Sequence, residues 1–309
     1  MTSTKVNKKK IYFDFYQCEV ISSQNLAIQN IDMNIVFQNL LDTFLNKSSK
    51  TDKRISGQLF DLSKIEKLEY GFRGIICKYR IANLPHVATI RGEERELDLK
   101  ENEHLIEKTF FKYFSDCSLL VMQRNKNSIS YNKLSTYLTS NNNTVSLNPI
   151  IEEADLKVLM SNHSNLRWAK IKIARPTNPT LFEDTGHDFD NSIIQSLNTL
   201  NTGASINIIL SGDGRSKDPE TRYLDPAYKR IFFELANRFD VKKSQLELEE
   251  DGISHPIDLI ADRLVYCETL EFNGLYPNNE DIWSALMNAK TEKQNELNNY
   301  FGILGNRLE

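Results

Sequence analysis

The chain has 309 residues, of which 40% are hydrophobic and 26% charged, a composition that is ordinary for globular proteins and excludes wholesale disorder. No apolar run approaches the roughly 20 residues of a membrane-spanning helix, and no signal-type core follows the basic start, so we expect a cytoplasmic protein. Residues 1–150 hold 21 Lys and Arg against 16 Asp and Glu, whereas residues 151–309 hold 17 against 26, which predicts one module suited to a polyanion and one acidic module.

The first half begins with a basic segment, a strand pattern and a helix pattern. Lys5 and Lys8–Lys10 form a basic arm ahead of the first strand, because Ile11–Val20 alternates apolar and polar residues as a half-buried strand does. Asp32 caps an amphipathic helix that ends near Phe44. The spacing of its apolar residues places four side chains in the core, namely Ile35, Leu40, Leu41 and Phe44.

Short strands interrupted by glycines follow, and Ser128 or Ser130 then caps a helix over Tyr131–Leu138. Residues 93–107 are rich in carboxylates and indicate a solvated surface segment. The Asn-rich Ser140–Thr144 marks a boundary between two domains, 1–145 and 146–309. The strands predicted in this half are Ile55–Leu62, Lys67–Arg73, Gly74–Ile81 and a hairpin of Thr109–Phe114 with Ser118–Arg124.

The second half predicts an acidic α+β sandwich with helices packed on one face of its sheet. Ser205–Ser211 is short and nearly all apolar, which is typical of a central strand. The other predicted strands are Asn165–Arg175, Gln245–Glu249 and Ile257–Glu271, and the helices are Ser192–Leu200, Asp225–Phe239 and Asn279–Tyr300. The whole chain is therefore predicted to be α+β, with a mixed or antiparallel sheet and packed helices in each domain.

Groups of basic and amide side chains form the candidate nucleic-acid site. Met122–Lys126 ends a strand and offers donors for phosphate oxygens and base edges, although a hydrophilic hairpin exit has the same composition. Alternation places Lys170 and Lys172 on one strand face with Trp168, which either stacks on a base or packs under a helix. The complete candidate set is Lys8, Lys9, Lys10, Lys78, Arg80, Gln123, Arg124, Lys126, Arg167, Lys170, Lys172 and Arg175.

The remaining clusters do not indicate catalysis. Four cysteines lie far apart, which indicates buried reduced thiols rather than disulfides or a zinc site. Gly212–Arg215 lacks the spacing of a phosphate-binding loop and indicates a turn. The carboxylates of Glu183–Asp190 and Glu247–Asp251 do not converge from separate elements as a metal site requires. We therefore predict a protein that is not an enzyme and uses no cofactor and no metal.

The order of elements resembles that of exclusion proteins carried by phages and prophages. Leu119–Asn125, leading into Ile129–Leu138, carries the resemblance most specifically, after the opening strand and the helix around Asn34–Phe44. In these elements the chain resembles the RexA-like exclusion proteins of lambdoid phages and, more distantly, KwaB of the Kiwa antiphage system. The resemblance implies a two-domain, homodimeric DNA-binding protein that acts in phage exclusion beside a membrane-protein partner. RexA-like proteins are more basic than this chain, whose acidic second half is the main departure.

Three functions stay open on the sequence. The first is a non-enzymatic protein that binds DNA, with RNA as an alternative ligand, and acts in phage exclusion or antiviral defence. The second is a scaffold or inhibitor whose acidic second domain docks on a basic partner. The third and least favoured is a metal-dependent nuclease toxin that uses Asp184, His187 or Glu247.

Overall fold

A computed structural model describes residues 6–22, 32–46, 48–82, 84–141, 143–174, 205–238 and 241–305. These residues form an α+β structure with antiparallel sheets, as predicted. Their strands are Asn7–Ser22 (β1), Lys53–Ile55 (β2), Gln58–Leu68 (β3), Gly71–Arg80 (β4), Val87–Ala88 (β5), Glu94–Arg95 (β6), Leu105–Phe114 (β7), Leu119–Gln123 (β8), Asn143–Pro149 (β9), Asn165–Ala174 (β10), Ser205–Ser211 (β11), Val241–Glu250 (β12), Ile253–Asp258 (β13) and Val265–Phe272 (β14). Their helices are Met33–Leu45 (α1), Tyr131–Leu138 (α2), Glu153–Met160 (α3), Pro219–Arg222 (α4), Ala227–Arg238 (α5), Asn279–Glu292 (α6) and Gln294–Gly305 (α7).

The described chain divides into two compact units. The first comprises the chain up to Phe13, Cys18–Val145 and Cys267–Met287, and the second comprises Asp14–Gln17, Ser146–Tyr266 and the chain from Asn288 onward. The larger sheet has the order β14-β1-β8-β7-β4-β3-β2, with β9 also paired to β1. A four-stranded sheet in the second unit has the order β11-β10-β12-β13, and β5 and β6 form a short hairpin.

Aromatic side chains fix the helices of the first unit to both faces of its sheet. Phe37 of α1 is fully buried against Phe111 of β7, with ring centroids 5.8 Å apart. Phe110 immediately precedes Phe111 in β7 and therefore faces the opposite side of the sheet. There it meets Trp283 of α6 at a centroid distance of 4.9 Å.

The sheet of the second unit has one buried face. Ala169, Ile171, Leu246 and Leu248 on that face are each at most 1% exposed. Helix α5 packs on β10 and β12 and contributes its own buried apolar residues, Phe232, Leu235 and Ala236. Part of the core of this unit therefore lies between α5 and one face of the four-stranded sheet, and buried residues of α3 and α7 add to it.

Several local predictions are confirmed. Asp32 is the N-cap of α1, and its carboxylate accepts a hydrogen bond from the backbone N–H of Asn34 at 2.9 Å. Helix α2 and strand β11 have the predicted bounds, and β7 and β8 form the predicted hairpin. Ser130 precedes α2 but makes no side-chain capping bond. The helix predicted over Ser192–Leu200 lies outside the described residues.

The start and the burial of β1 differ from the prediction. The strand begins at Asn7, so Lys8–Lys10 belong to it and do not form an arm ahead of it. Its middle is buried on both faces. The predicted apolar residues are buried on one face, and Asp14 and Tyr16 on the other face are only 8% and 4% exposed. Because β14 and β8 pair with β1 on its two sides, the strand continues past the residues that alternate. The sequence alone therefore placed its start too late.

The predicted buried stripe of α1 was wrong at Ile35 and missed the three most buried residues. Met33, Val36 and Phe37 face the core, whereas Ile35 is 50% exposed. The ring of Phe37 fits among three aromatic rings of the sheet, and this contact sets the rotation of the helix. The sequence does not reveal that aromatic site, because its residues come from β4 and β7.

Tertiary pairing corrects other boundaries. The predicted strand Lys67–Arg73 spans a turn between β3 and β4, where Gly71 has φ +124° and a Cβ would lie 2.0 Å from the carbonyl oxygen of Tyr113. The predicted strand Ile257–Glu271 is split between β13 and β14, and the predicted helix Asn279–Tyr300 is split between α6 and α7. Helix α3 was missed. β11 lies at the end of the described strand order rather than at its centre.

The predicted burial of the cysteines is confirmed for Cys18 and Cys77, whereas Cys117 is half-buried and Cys267 is exposed. Burial raises the pKa of the Cys77 thiol above its usual value. None of the helices in the described ranges has both the length and the apolar sequence that crossing a membrane takes.

Candidate nucleic-acid interface

The antiparallel order of the first unit's sheet gathers its predicted contact residues at one end. In the sheet, β8 and β7 lie between β1 and β4, and neighbouring strands run antiparallel. The same end of the sheet therefore contains the start of β1, the end of β8, the start of β7 and the end of β4. The backbone N–H of Arg124 donates to the carbonyl of Tyr12 at 2.8 Å, which places Arg124 beside the beginning of β1. We call this cluster the basic end, which consists of Lys8, Lys9, Lys10, Lys78, Arg80, Arg124 and Lys126.

Part of the basic end is engaged in contacts of its own. Lys8 is ion-paired with Glu271, and a guanidinium nitrogen of Arg80 lies 4.0 Å from Glu107. The ammonium of Lys78 donates to the carbonyl of Asn127 at 3.0 Å. The lysines with no ion pair or hydrogen bond to any described residue are Lys9, Lys10 and Lys126, and all three are exposed.

The amide side chains of the turn after β8 hold the backbone in place. The side-chain oxygen of Gln123 accepts from the N–H of Phe110 at 3.4 Å. Asn125 donates to the carbonyl of Lys108 at 2.8 Å and accepts from the N–H of Asn127 at 3.1 Å. These bonds favour the structural interpretation of Gln123, while Arg124 and Lys126 extend from the turn that the amides stabilise.

The second group of predicted residues lies on the other face of the second unit's sheet from α5. Register pairs Trp168 with Ser211 and Glu247, Lys170 with Ile209 and Gln245, and Lys172 with Asn207 and Lys243. Directly paired residues point to the same side of a sheet. We call this surface the open face, which consists of Trp168, Lys170, Lys172, Asn207, Ile209, Ser211, Lys243, Gln245 and Glu247.

Lys243 is a residue that the sequence prediction missed. It lies directly opposite Lys172 and is exposed. Every second residue from Glu249 through Glu247 and Gln245 back to Lys243 faces outward, so the signal was present. The predicted strand, however, began at Gln245, four residues after the observed start at Val241, and so left Lys243 out. Of the other candidates, Arg175 lies outside the described residues.

Arg167 belongs to an ionic cluster and not to the open lysine group. Its guanidinium lies 3.6 Å from Glu247 and 3.5 Å from Glu249. Glu249 also accepts a 2.7 Å hydrogen bond from the hydroxyl of Tyr223 and pairs with Arg222 at 3.4 Å. These contacts tie β10 and β12 to the end of α4 and to Tyr223 after it, which indicates a structural role for Arg167.

The same contacts change two ionisation equilibria. The hydrogen bond from Tyr223, with the nearby Arg222 and Arg167, holds the pKa of Glu249 below its usual value. The same hydrogen bond to Glu249 raises the pKa of Tyr223. Both shifts favour the arrangement in which the phenol donates to an ionised carboxylate.

Glu249→Gln is expected to destabilise the protein at neutral pH and much less in acid. The folded-state pKa of Glu249 is depressed, so its contribution is present above the unfolded pKa and is lost as the pH falls through the folded pKa. Urea unfolding at about pH 7 and about pH 3 measures this difference. Glu292→Gln, which changes an exposed carboxylate in the same unit, is the control. An equal loss for Glu249→Gln at both pH values would contradict the assignment.

The alternative metal site receives no support from these residues. Glu247 accepts hydrogen bonds from the Trp168 indole N–H and the Ser254 hydroxyl, in addition to its pairing with Arg167. Within the described ranges no three His, Cys, Asp or Glu side chains are grouped so that they would hold a metal ion. Asp184 and His187 lie outside those ranges.

Together, these observations define an antiparallel α+β protein with a basic sheet end in one unit and, in the other, a lysine-bearing sheet face whose residues are half-buried or exposed. The chain belongs to the family described as "Family of unknown function (DUF6731)", whose model matches residues 6–296. No curated protein matches the chain. No solved structure matches it either.

Proposed function

We propose that this protein is a non-enzymatic, cytoplasmic DNA-binding protein that contacts phosphates through the basic end. The observation that carries the proposal is the convergence of cations from two strands, β1 and β4, and the turn after β8 on one end of one sheet. Such a local cluster attracts a polyanion even in a chain whose net charge is −4, because screening at physiological salt limits the reach of distant carboxylates to about 8 Å.

The acidic segment limits where DNA makes contact. Residues 81–104 connect β4 to β7 and carry six carboxylates against three cations. The segment leaves and re-enters the sheet at β4 and β7, so its negative charge lies nearest Lys78 and Arg80. The phosphate contacts are therefore assigned chiefly to Lys9, Lys10 and Lys126, on the β1 and β8 side.

The triple variant Lys9→Gln, Lys10→Gln, Lys126→Gln is expected to weaken binding to duplex DNA and to flatten its salt dependence. Each lost phosphate contact lowers the slope of log affinity against log salt by about 0.9, so the triple change lowers it by up to about 2.7. Fluorescence anisotropy with a labelled duplex, titrated at several salt concentrations, measures both quantities. In cells that the wild type protects, we expect the same variant to restore phage plating.

A matched triple variant removes the same charge elsewhere. Lys50→Gln, Arg54→Gln and Lys217→Gln change exposed cations that do not belong to the basic end. If both triples lose affinity equally, net charge and not the basic end determines binding. If the wild type does not retain duplex DNA at low salt, the proposed function is wrong.

The biological role in this proposal comes from the resemblance to exclusion proteins. Action in phage exclusion or defence, a homodimer and a membrane-protein partner remain predictions, as does the choice of DNA over RNA. Competition between unlabelled DNA and RNA in the anisotropy assay decides the ligand, and sedimentation of the free protein decides the oligomeric state.

A further inference from the structure

The two faces of the second unit's sheet differ sharply in exposure. Ala169 and Ile171 are fully buried on one face. Every residue of the open face, by contrast, is half-buried or exposed, and Ile209 is 61% exposed. A sheet face of this kind, accessible across three neighbouring strands, provides a continuous platform on which an extended ligand can lie.

The open face contains an unfavourable charge arrangement. Lys172 and Lys243 are direct cross-strand partners, and Lys170 follows two residues along β10 on the same face. Like charges directly opposite each other destabilise a sheet. None of the three lysines has an ion pair or hydrogen bond with a described residue. Repulsion that no described residue offsets is characteristic of a functional surface, here one that fits an anionic ligand.

Trp168 supplies a fixed aromatic group at one end of this lysine cluster. Its side chain is half-buried, and its indole N–H donates to Glu247. The bond restricts the ring while part of it remains accessible, so little conformational freedom is lost when a flat group stacks on it. Asn207 and Gln245 lie beside the lysines on the same face and provide amide donors and acceptors.

We infer that the open face binds single-stranded nucleic acid, with a base stacked on Trp168 and the phosphates facing Lys170, Lys172 and Lys243. Stacking on an aromatic side chain requires an unpaired base, and a sheet face with lysines beside such a ring provides both contacts. Duplex DNA offers phosphates but no exposed base face, so it meets only part of this chemistry. The inference rests on the proposed function and deepens it, because it names single-stranded nucleic acid as a ligand and adds a second binding site.

Tryptophan fluorescence tests the stacking contact directly. The chain has two tryptophans, and Trp283 is only 4% exposed, so quenching by an oligo(dT) 20-mer reports on Trp168. We expect quenching in the wild type and in Trp283→Phe, and none in Trp168→Phe. We also expect Trp168→Ala to bind labelled oligo(dT) about tenfold more weakly, whereas Trp168→Phe retains most of the affinity.

The lysines are tested by salt dependence. Lys170→Gln, Lys172→Gln and Lys243→Gln together are expected to lower the salt slope for oligo(dT) by up to about 2, since each contact with a single strand contributes about 0.7. Lys217→Gln, an exposed lysine off the open face, is expected to leave it unchanged. A triple variant with the wild-type slope and affinity overturns the inference.

The outcomes separate the two proposals. If oligo(dT) does not quench Trp168 while duplex DNA is still retained, the inference is wrong and the proposed function stands. If the Lys9, Lys10 and Lys126 variant binds duplex as the wild type does while quenching persists, the basic end is wrong and the open face stands. If polyglutamate quenches Trp168 as strongly as oligo(dT), the open face takes an acidic polypeptide, which overturns the inference.

Discussion

Phe37→Ala is expected to lower the free energy of unfolding by about 3–5 kcal/mol, the range for truncating a buried phenylalanine. Phe37 is 0% exposed, and its ring centroid lies 4.9 Å from Tyr113, 5.5 Å from Phe72 and 5.8 Å from Phe111. Removal of the ring leaves a cavity bordered by three rigid aromatic rings from two strands, which have little freedom to close it.

Urea unfolding followed by circular dichroism measures this loss. Ile35→Ala is the matched control, because Ile35 lies on the same helix and is 50% exposed. We expect the control to change the free energy of unfolding by no more than about 0.5 kcal/mol. The sequence predicted Ile35 as a core residue, so a large effect at Ile35 and a small one at Phe37 would contradict the observed rotation of α1.

Lys229→Met is expected to destabilise the protein by about 3 kcal/mol, because it removes a charged donor from buried acceptors. Lys229 is 7% exposed, and its ammonium donates to the carbonyls of Ser161 and Ser164 at 2.6 Å and 2.8 Å. A third bond reaches the Ser164 hydroxyl at 3.0 Å. These acceptors lie just after α3, where helix carbonyls lack intrahelical partners and favour a nearby cation.

The same unfolding measurement applies, with Lys217→Met as the control for loss of an exposed positive charge. Methionine has nearly the length of lysine, so the comparison isolates the ammonium from the packing of the stem. If Lys229→Met is as stable as Lys217→Met, the three hydrogen bonds do not fix the connection between α3 and β10.

Local patterns of the sequence predicted much of the secondary structure. The alternation in Asn165–Ala174 placed Lys170 and Lys172 on the outward face, and the apolar run placed β11 at Ser205–Ser211. The Asp32 cap was also correct, since a cap is made by residues two apart in the chain. Each of these features depends on neighbours in sequence, which is why one sequence contains enough information for them.

The candidate sites depended on information of a different kind. Lys126 and the opening strand are distant in sequence and come together only because β8 pairs with β1. The sequence predicted the same nucleic-acid-binding role for Arg167 as for Lys170. In the structure, Arg167 lies at a bulge between Leu166 and Trp168 and is paired with carboxylates. Neither the partner of a strand nor the position of a bulge can be derived from hydrophobic periodicity alone.

By itself, the sequence determined the α+β class, the uneven distribution of charge and the side of β10 on which its lysines and Trp168 lie. The tertiary structure decided which cations share a surface. It placed Lys243 opposite Lys172 and gathered the basic end from two strands and a turn. The physical reason is that the direction of a side chain is set locally by the backbone, whereas the neighbours of a charge are set by strand order and register, which the burial of the whole core selects.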